Sequence, residues 1–223
     1  PIHVIHAQND MPLLAQLQGE HNASHFGNKI ISLDFNHDGF DDLVVYSMAY
    51  GYQYQQSPSR GKVYIYYGGP GFSSASEPAM TLEGDYPEGM NRKIVSIGNV
   101  GDVNGDGFTD IAISAPGNFN LTGRVYLFFG SENMDNIPDV IFYGELDKDL
   151  FANSISPAGD VNNDGYDDIL ISVASYDAGF SHVGIVFLYL GSATGLNSSA
   201  SWNASDYDGE SNYGYSLSAA GDV

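Results

Sequence analysis

Three nine-residue stretches carry the densest chemistry in this chain: DFNHDGFDD (34–42), DVNGDGFTD (102–110) and DVNNDGYDD (160–168). Each puts oxygen-bearing side chains at positions 1, 3, 5 and 9, with glycine at position 6. The donors are Asp34, Asn36, Asp38 and Asp42 in the first loop, and Asp102, Asn104, Asp106 and Asp110 in the second. In the third they are Asp160, Asn162, Asp164 and Asp168. Position 7 adds a backbone carbonyl, from Phe40, Phe108 or Tyr166. All-oxygen donors suit a hard cation, and calcium takes about six to eight of them in flexible geometry, whereas magnesium keeps several waters. Three carboxylates crowded into nine residues repel one another unless a cation is present. The expected cofactor is calcium, about three ions with one per loop, which takes the formal charge from −21 to about −15.

The competing reading is an ion-free turn, because Asp, Asn and Gly favour turns on their own account. Repetition at matching positions argues for the cation. An EF-hand needs a bidentate Glu at position 12 and a helix on each side. Position 12 is Val45, Ile113 or Ile171, and strand-like segments flank the loops, so that motif is excluded. The aromatic ring at position 7 is expected to enter the core. His37, at position 4, is expected to face solvent.

The elements around the loops repeat with them. The first aspartates Asp34, Asp102, Asp160 and Asp222 lie 68, 58 and 62 residues apart, and the last opens a fourth copy of the motif. Ahead of each loop comes KIISLDF (29–35), KIVSIGNVG (93–101), NSISPAG (153–159) or GYSLSAAG (214–221). After it come DLVVYS (42–47), DIAISAP (110–116) and DILISVAS (168–175), then GKVYIYYGG (61–69), GRVYLFFGS (123–131) and GIVFLYLGS (184–192). A weaker fourth segment closes each repeat: MTLEGD (80–85), VIFYGE (140–145) and SWNASDYDGE (201–210). Short runs of β-branched and aromatic residues bounded by Gly, Pro, Asn and Asp read as strands. No stretch has helical periodicity.

The fold class is therefore all-β, with four antiparallel strands per repeat. In VYIYY (63–67) both alternating faces are apolar or aromatic, so both faces of the sheet must be covered. Small sheets stacked radially as propeller blades meet that need, and one blade cannot meet it alone. Residues 1–20 read as strands three and four of a preceding blade. Blades follow at 21–86, 87–146 and 147–210, and 211–223 opens another, so the chain covers about half of a ring in one partial propeller domain.

Composition excludes several functions. Seven scattered Lys and Arg residues against 28 Asp and Glu leave no basic stripe for nucleic acid. Zero Cys removes disulfides, thiolate catalysis and thiolate-bound zinc. The longest apolar run, GIVFLYL (184–190), is too short for a membrane span. The six histidines, at 3, 6, 21, 25, 37 and 182, show no H-E-x-x-H spacing, and no G-x-S-x-G elbow accompanies them. No catalytic constellation is expected in this chain.

The repeats resemble the FG-GAP repeat of the integrin α-subunit head, whose pattern is roughly F-G-x-S-[VL]-x-x-x-G-D-[VL]-N-G-D-G-x-x-D followed by GAP. Matches run through Phe26-Gly27, Tyr213-Gly214, Ser96, Ser154, Ser216, Gly101, Gly159, Gly221 and the SAP at 114–116. The second repeat has Lys93-Ile94 and the third Phe151-Ala152 in place of Phe-Gly, and the first and third lack GAP. Bacterial secreted proteins carrying such repeats are an equally good match. The resemblance implies a seven-bladed propeller with calcium in inter-strand hairpins on one side of the disc and ligands on the other. It implies an extracellular, cell-surface or periplasmic recognition or adhesion module for a protein or glycan. The loops on the ligand side include Tyr50, Tyr52 and Tyr54, with Tyr207 and Tyr213 near the end of the third blade. Exposed tyrosines suit protein interfaces and sugar stacking, and packing against neighbouring blades is their other use. A lectin, or the propeller of a secreted polysaccharide-active enzyme, is the alternative function. Asn22, Asn120, Asn197 and Asn203 stand in N-x-[ST] sequons.

Overall fold

Runs such as VVY (44–46) and IAI (111–113) extend because β-branched and aromatic side chains pack on a pleated surface, with alternate residues facing opposite ways. The computed structural model describes residues 15–20, 24–50, 60–83, 96–115, 123–144, 151–173, 184–206 and 213–219. Twelve strands and no helix occur among them. The first sheet holds β1 (Phe26–Leu33), β2 (Asp42–Tyr50), β3 (Arg60–Tyr66) and β4 (Met80–Glu83). The second holds β5 (Ser96–Gly101), β6 (Asp110–Ser114), β7 (Arg124–Phe128) and β8 (Val140–Tyr143). The third holds β9 (Ile155–Gly159), β10 (Asp168–Val173), β11 (Ile185–Tyr189) and β12 (Trp202–Ser205). Each sheet keeps its strands in chain order with every neighbour antiparallel.

The core lies between the sheets. Val44, Tyr46, Val63 and Ile65 of the first sheet pack with Ile97, Ile111, Ile113 and Phe128 of the second. The opposite face of the second sheet, with Ala112, Val125 and Leu127, meets Ile155, Ile169 and Ile171 of the third. The other face of the first sheet puts Val45, Tyr64 and Tyr66 around Leu17. Both faces of the middle strands of the first two sheets are thus covered, as VYIYY requires, and each sheet is a blade.

Residues 15–20 form no strand. They dock through Leu17 and through Glu20, which holds the buried Lys62 ammonium at 2.8 Å opposite Glu83 at 3.3 Å. Residues 1–14 lie outside the described residues. Residues 213–219, expected as the first strand of a further blade, are turn and irregular backbone beside β9. Leu217 N–H donates to Ser154 Oγ (3.2 Å), and Asn153 Nδ2 donates to Tyr215 O (3.0 Å). An inner strand takes its ladder from the second strand of its own blade, and no described residue supplies one. The inner strands β1, β5 and β9 and residues 217–219 line a cavity of about 420 Å³. No helix among the described residues is long and apolar enough to cross a membrane.

Blades also meet closely where strand three ends. A Cβ on Gly130, just past β7, would overlap Thr109 O and meet Phe108 Cβ at 2.8 Å and Phe35 O of the preceding blade at 3.1 Å. Gly191, past β11, is enclosed in the same way, with Val103 O at 2.8 Å. Gly130→Ala is expected to cost about 1–3 kcal/mol through overpacking, read as a lower Tm in thermal denaturation. An unchanged Tm would show that these turns have room to move.

Candidate metal centre

Each acidic loop is the hairpin joining strand one to strand two of a blade. Position 4 takes the left-handed conformation in all three, at His37 (φ 58°), Gly105 (φ 74°) and Asn163 (φ 58°). So does the glycine at position 6, with φ of 87–92°. These two left-handed steps turn loop N–H groups inward, where the side chains of positions 1, 3 and 5 meet them. In the first loop Asp34 Oδ1 accepts from Asp38 N–H (3.0 Å) and Oδ2 from Gly39 N–H (2.9 Å). Asn36 Oδ1 accepts from Asp38 N–H (3.1 Å), and Asp38 Oδ1 from Phe40 N–H (2.9 Å). The same bonds recur around Asp102, Asn104 and Asp106, and around Asp160, Asn162 and Asp164.

Position 9 behaves differently. Asp42, Asp110 and Asp168 are fully buried, and each holds two backbone donors. Asp110 Oδ2 accepts from Val103 N–H (2.9 Å) and Oδ1 from Gly130 N–H (2.9 Å), joining the hairpin to the end of strand three. Asp42 does this with Phe35 and Gly68, and Asp168 with Val161 and Gly191. Burial pushes the Asp110 carboxyl up to about 7; its two N–H donors pull it down, and the charges of Asp106 and Asp102 push it up again. Asp42 and Asp168 are raised by burial in the same way, with repulsion from Asp38 and Asp34 and from Asp164 and Asp160.

This arrangement bears on whether a cation fits. Positions 1, 5 and 9 of each loop are close enough to repel, and among the described residues no lysine or arginine pairs with a loop carboxylate. Among those residues, too, no three acidic or histidine side chains are gathered tightly enough to hold a metal by themselves. The donors fit calcium in kind: three carboxylates, an amide oxygen and a carbonyl around one turn, with their charge unbalanced. They do not form a ready-made cage.

One expectation is corrected and another is extended. The position-7 rings do not enter the core: Phe40 is 46% exposed, and Phe108 and Tyr166 are half-buried. Phe108 and Tyr166 reach instead to position 4 of the preceding loop. Phe108 meets the His37 ring edge-on at 5.7 Å, and Tyr166 lies where a Cβ on Gly105 would be 2.7 Å from its ring. His37 faces solvent as expected, and its Nδ1–H also donates to Gly107 O of the next loop at 2.9 Å. The core residue is at position 2, where Phe35 and Val103 are 0% exposed because the following blade covers them. Val161, with no described blade beyond it, is 53% exposed. The apolar residue between the polar Asp and Asn of positions 1 and 3 carries that signal.

Of the tyrosines, Tyr213 is 40% exposed, and the neighbouring Tyr215, which the sequence reading passed over, is 72% exposed. Tyr50 ends β2 with its side chain outside the described residues, and Tyr52, Tyr54 and Tyr207 lie wholly outside them.

Stacked four-stranded blades with an acidic hairpin in each define a propeller-type repeat protein. The FG-GAP repeat family matches residues 26–66, 95–128 and 151–189, together more than half of the chain, and the chain belongs to that family. It is 31% identical over 164 residues to integrin alpha-3 of Cricetulus griseus, covering 71% of this chain and 15% of that protein. Integrin alpha-6 of Gallus gallus is 33% identical over 171 residues, 75% of this chain and 15% of that protein. Integrin alpha-7 of Homo sapiens is 33% identical over 157 residues, 70% of this chain and 13% of that protein. The chain thus matches only a small part of the length of these relatives.

The raised position-9 carboxyls have a consequence for pH. A carboxyl whose folded pKa exceeds its unfolded value holds its proton longer in the folded state. The stability it contributes is complete below about 3.8 and lost as pH rises through about 7 for Asp110. In chelator, raising pH from about 4 to about 7 is expected to lower stability by on the order of 2 kcal/mol at this site. Asp110→Asn should flatten the dependence of Tm on pH. A chelated protein whose Tm rises over that range would contradict the assignment.

Proposed function

We propose that this chain is a calcium-stabilised recognition module of an extracellular or cell-surface protein, binding a protein or glycan through the face opposite the acidic hairpins. It forms about half of a seven-bladed ring, and the remaining blades of the same propeller are its first partners. The observation that carries the reading is the threefold recurrence of one hairpin: crowded, unbalanced carboxylates above a buried aspartate that ties the hairpin to strand three. Asp34, Asp102 and Asp160, with their partners at positions 3, 5, 7 and 9, would hold one ion each. The ion neutralises carboxylates that otherwise repel, so it closes the hairpin and secures the blade; its part is structural.

The similarity to integrin alpha subunits supports recognition over catalysis, as does the absence of a catalytic motif in the sequence. Tyr213 and Tyr215 offer exposed aromatic surface beyond the third blade. Such rings supply large contact area with few rotors.

Chelation is expected to lower Tm by several degrees or more, and added calcium to restore it by mass action. A verified metal-free protein with an unchanged melting curve would overturn the structural-calcium reading. For recognition, Tyr52→Ala or Tyr213→Ala should weaken capture of an extracellular glycoprotein or an arrayed glycan about tenfold or more, the size of an aromatic hot spot, with calcium-dependent Tm unchanged. Retained binding in both variants would remove the tyrosines from the ligand face, and glycan cleavage would favour the polysaccharide-active alternative.

A further inference from the structure

We infer that Asp167, at position 8 of the third loop, positions the first ligand of the second loop, so that calcium binding at the two loops is energetically coupled. The inference rests on the calcium reading above.

Asp102 opens the second loop, and its side chain gathers three of that loop's N–H groups: Gly105 (2.7 Å), Asp106 (3.0 Å) and Gly107 (2.8 Å). Its main chain is held from the next blade. Asp102 N–H donates to Asp167 Oδ2 at 2.8 Å, and Asp167 N–H donates to Asp102 O at 2.9 Å. A third bond follows one residue on, from Ser192 N–H to Val103 O at 3.0 Å. The Asp167 carboxylate lies against Gly101 Cα, where any Cβ would overlap it. Asp102 can therefore keep its place only while Asp167 keeps its own.

The place of Asp167 is set by the third loop. Its chain neighbours are Tyr166, whose carbonyl is the position-7 donor, and Asp168, the position-9 carboxylate. An ion that draws both inward holds the residue between them on both sides. Without the ion, repulsion among Asp160, Asp164 and Asp168 loosens the segment from which Asp167 reaches across. Occupancy of the third loop thus prepares Asp102 for the second ion, and by linkage the second ion favours the third equally.

The pair of loops before it is built otherwise. Asp41, at position 8 of the first loop, accepts from Ser32 Oγ of its own blade (2.9 Å), and position 8 of the second loop is Thr109, which has no carboxylate. The first and second loops meet through His37 and Gly107 O, away from the first ligand Asp34. Coupling through position 8 is accordingly a property of the second and third loops.

The test is a site-resolved calcium titration of the intact protein that carries this chain. The amides of Gly39, Gly107 and Gly165 serve as reporters, since each donates to the position-1 aspartate of its own loop. Asp167→Ala should weaken calcium binding reported by Gly107 about fivefold to twentyfold, within the usual span of coupling between sites, and leave Gly39 nearly unmoved. Asp167→Asn, which keeps an acceptor oxygen for Asp102 N–H, should recover most of the loss. Asp160→Asn, which weakens the third site itself, should also shift Gly107 and serves if Asp167→Ala does not fold. Wild-type loops that titrate, with a Gly107 midpoint unmoved by these changes, would overturn the coupling and leave the calcium reading intact. Gly107 and Gly165 amides that ignore calcium in the wild type would overturn both.

Discussion

The fold hangs on a buried carboxylate that accepts two backbone N–H groups. In each blade the aspartate at position 9 takes one donor from position 2 of its own hairpin and one from the glycine after strand three. Those donors belong to segments 20 or more residues apart in sequence, so a single side chain sets the start of strand two against the end of strand three. An ionised group buried this way is costly unless it is compensated. Two backbone donors offset part of that cost, and repulsion from the carboxylates at positions 1 and 5 adds to what remains. Architecture and electrostatics are here one arrangement.

The glycine that donates to this aspartate also lies where neighbouring blades meet. Gly130 and Gly191 lie against carbonyl oxygens of the preceding blade, and the buried position-2 side chains Phe35 and Val103 sit beneath. Loop, strand end and blade interface therefore share atoms. The position-7 rings of Phe108 and Tyr166, leaning over position 4 of the loop before, extend the contact to the surface. Each described hairpin thus touches the next one.

Much of this was legible in the chain. The period of the D-x-N-x-D-G motif gave the repeat, the apolar pairs on both faces of the third strand gave the stacking, and EF-hand geometry was excluded by Val45, Ile113 and Ile171 at position 12. What escaped was direction. Sequence spacing shows that Phe108 follows a turn, but whether its ring turns inward or toward His37 depends on the left-handed residues at positions 4 and 6 and on a neighbour 71 residues away. The crossing from Asp167 to Asp102 spans 65 residues and involves main-chain atoms, which carry no sequence signature. The segment at 213–219, which is turn and irregular backbone, was read as an inner strand from its alignment with KIISLDF and KIVSIGNVG, and a ladder needs a partner as well as a propensity.

The contacts between loops are not interchangeable, and that bears on how such a chain can be rearranged. The first junction sets an imidazole against a phenyl ring, while the second sets a bare glycine against a tyrosine and a carboxylate against a main-chain N–H. Moving the third blade next to the first would bring Tyr166 to His37 instead of Gly105 and leave the space above Gly105 unfilled. The order of the blades is thus written into side-chain volumes at their rims. Shuffling, duplicating or deleting a blade would change the seams even where every blade kept its own fold.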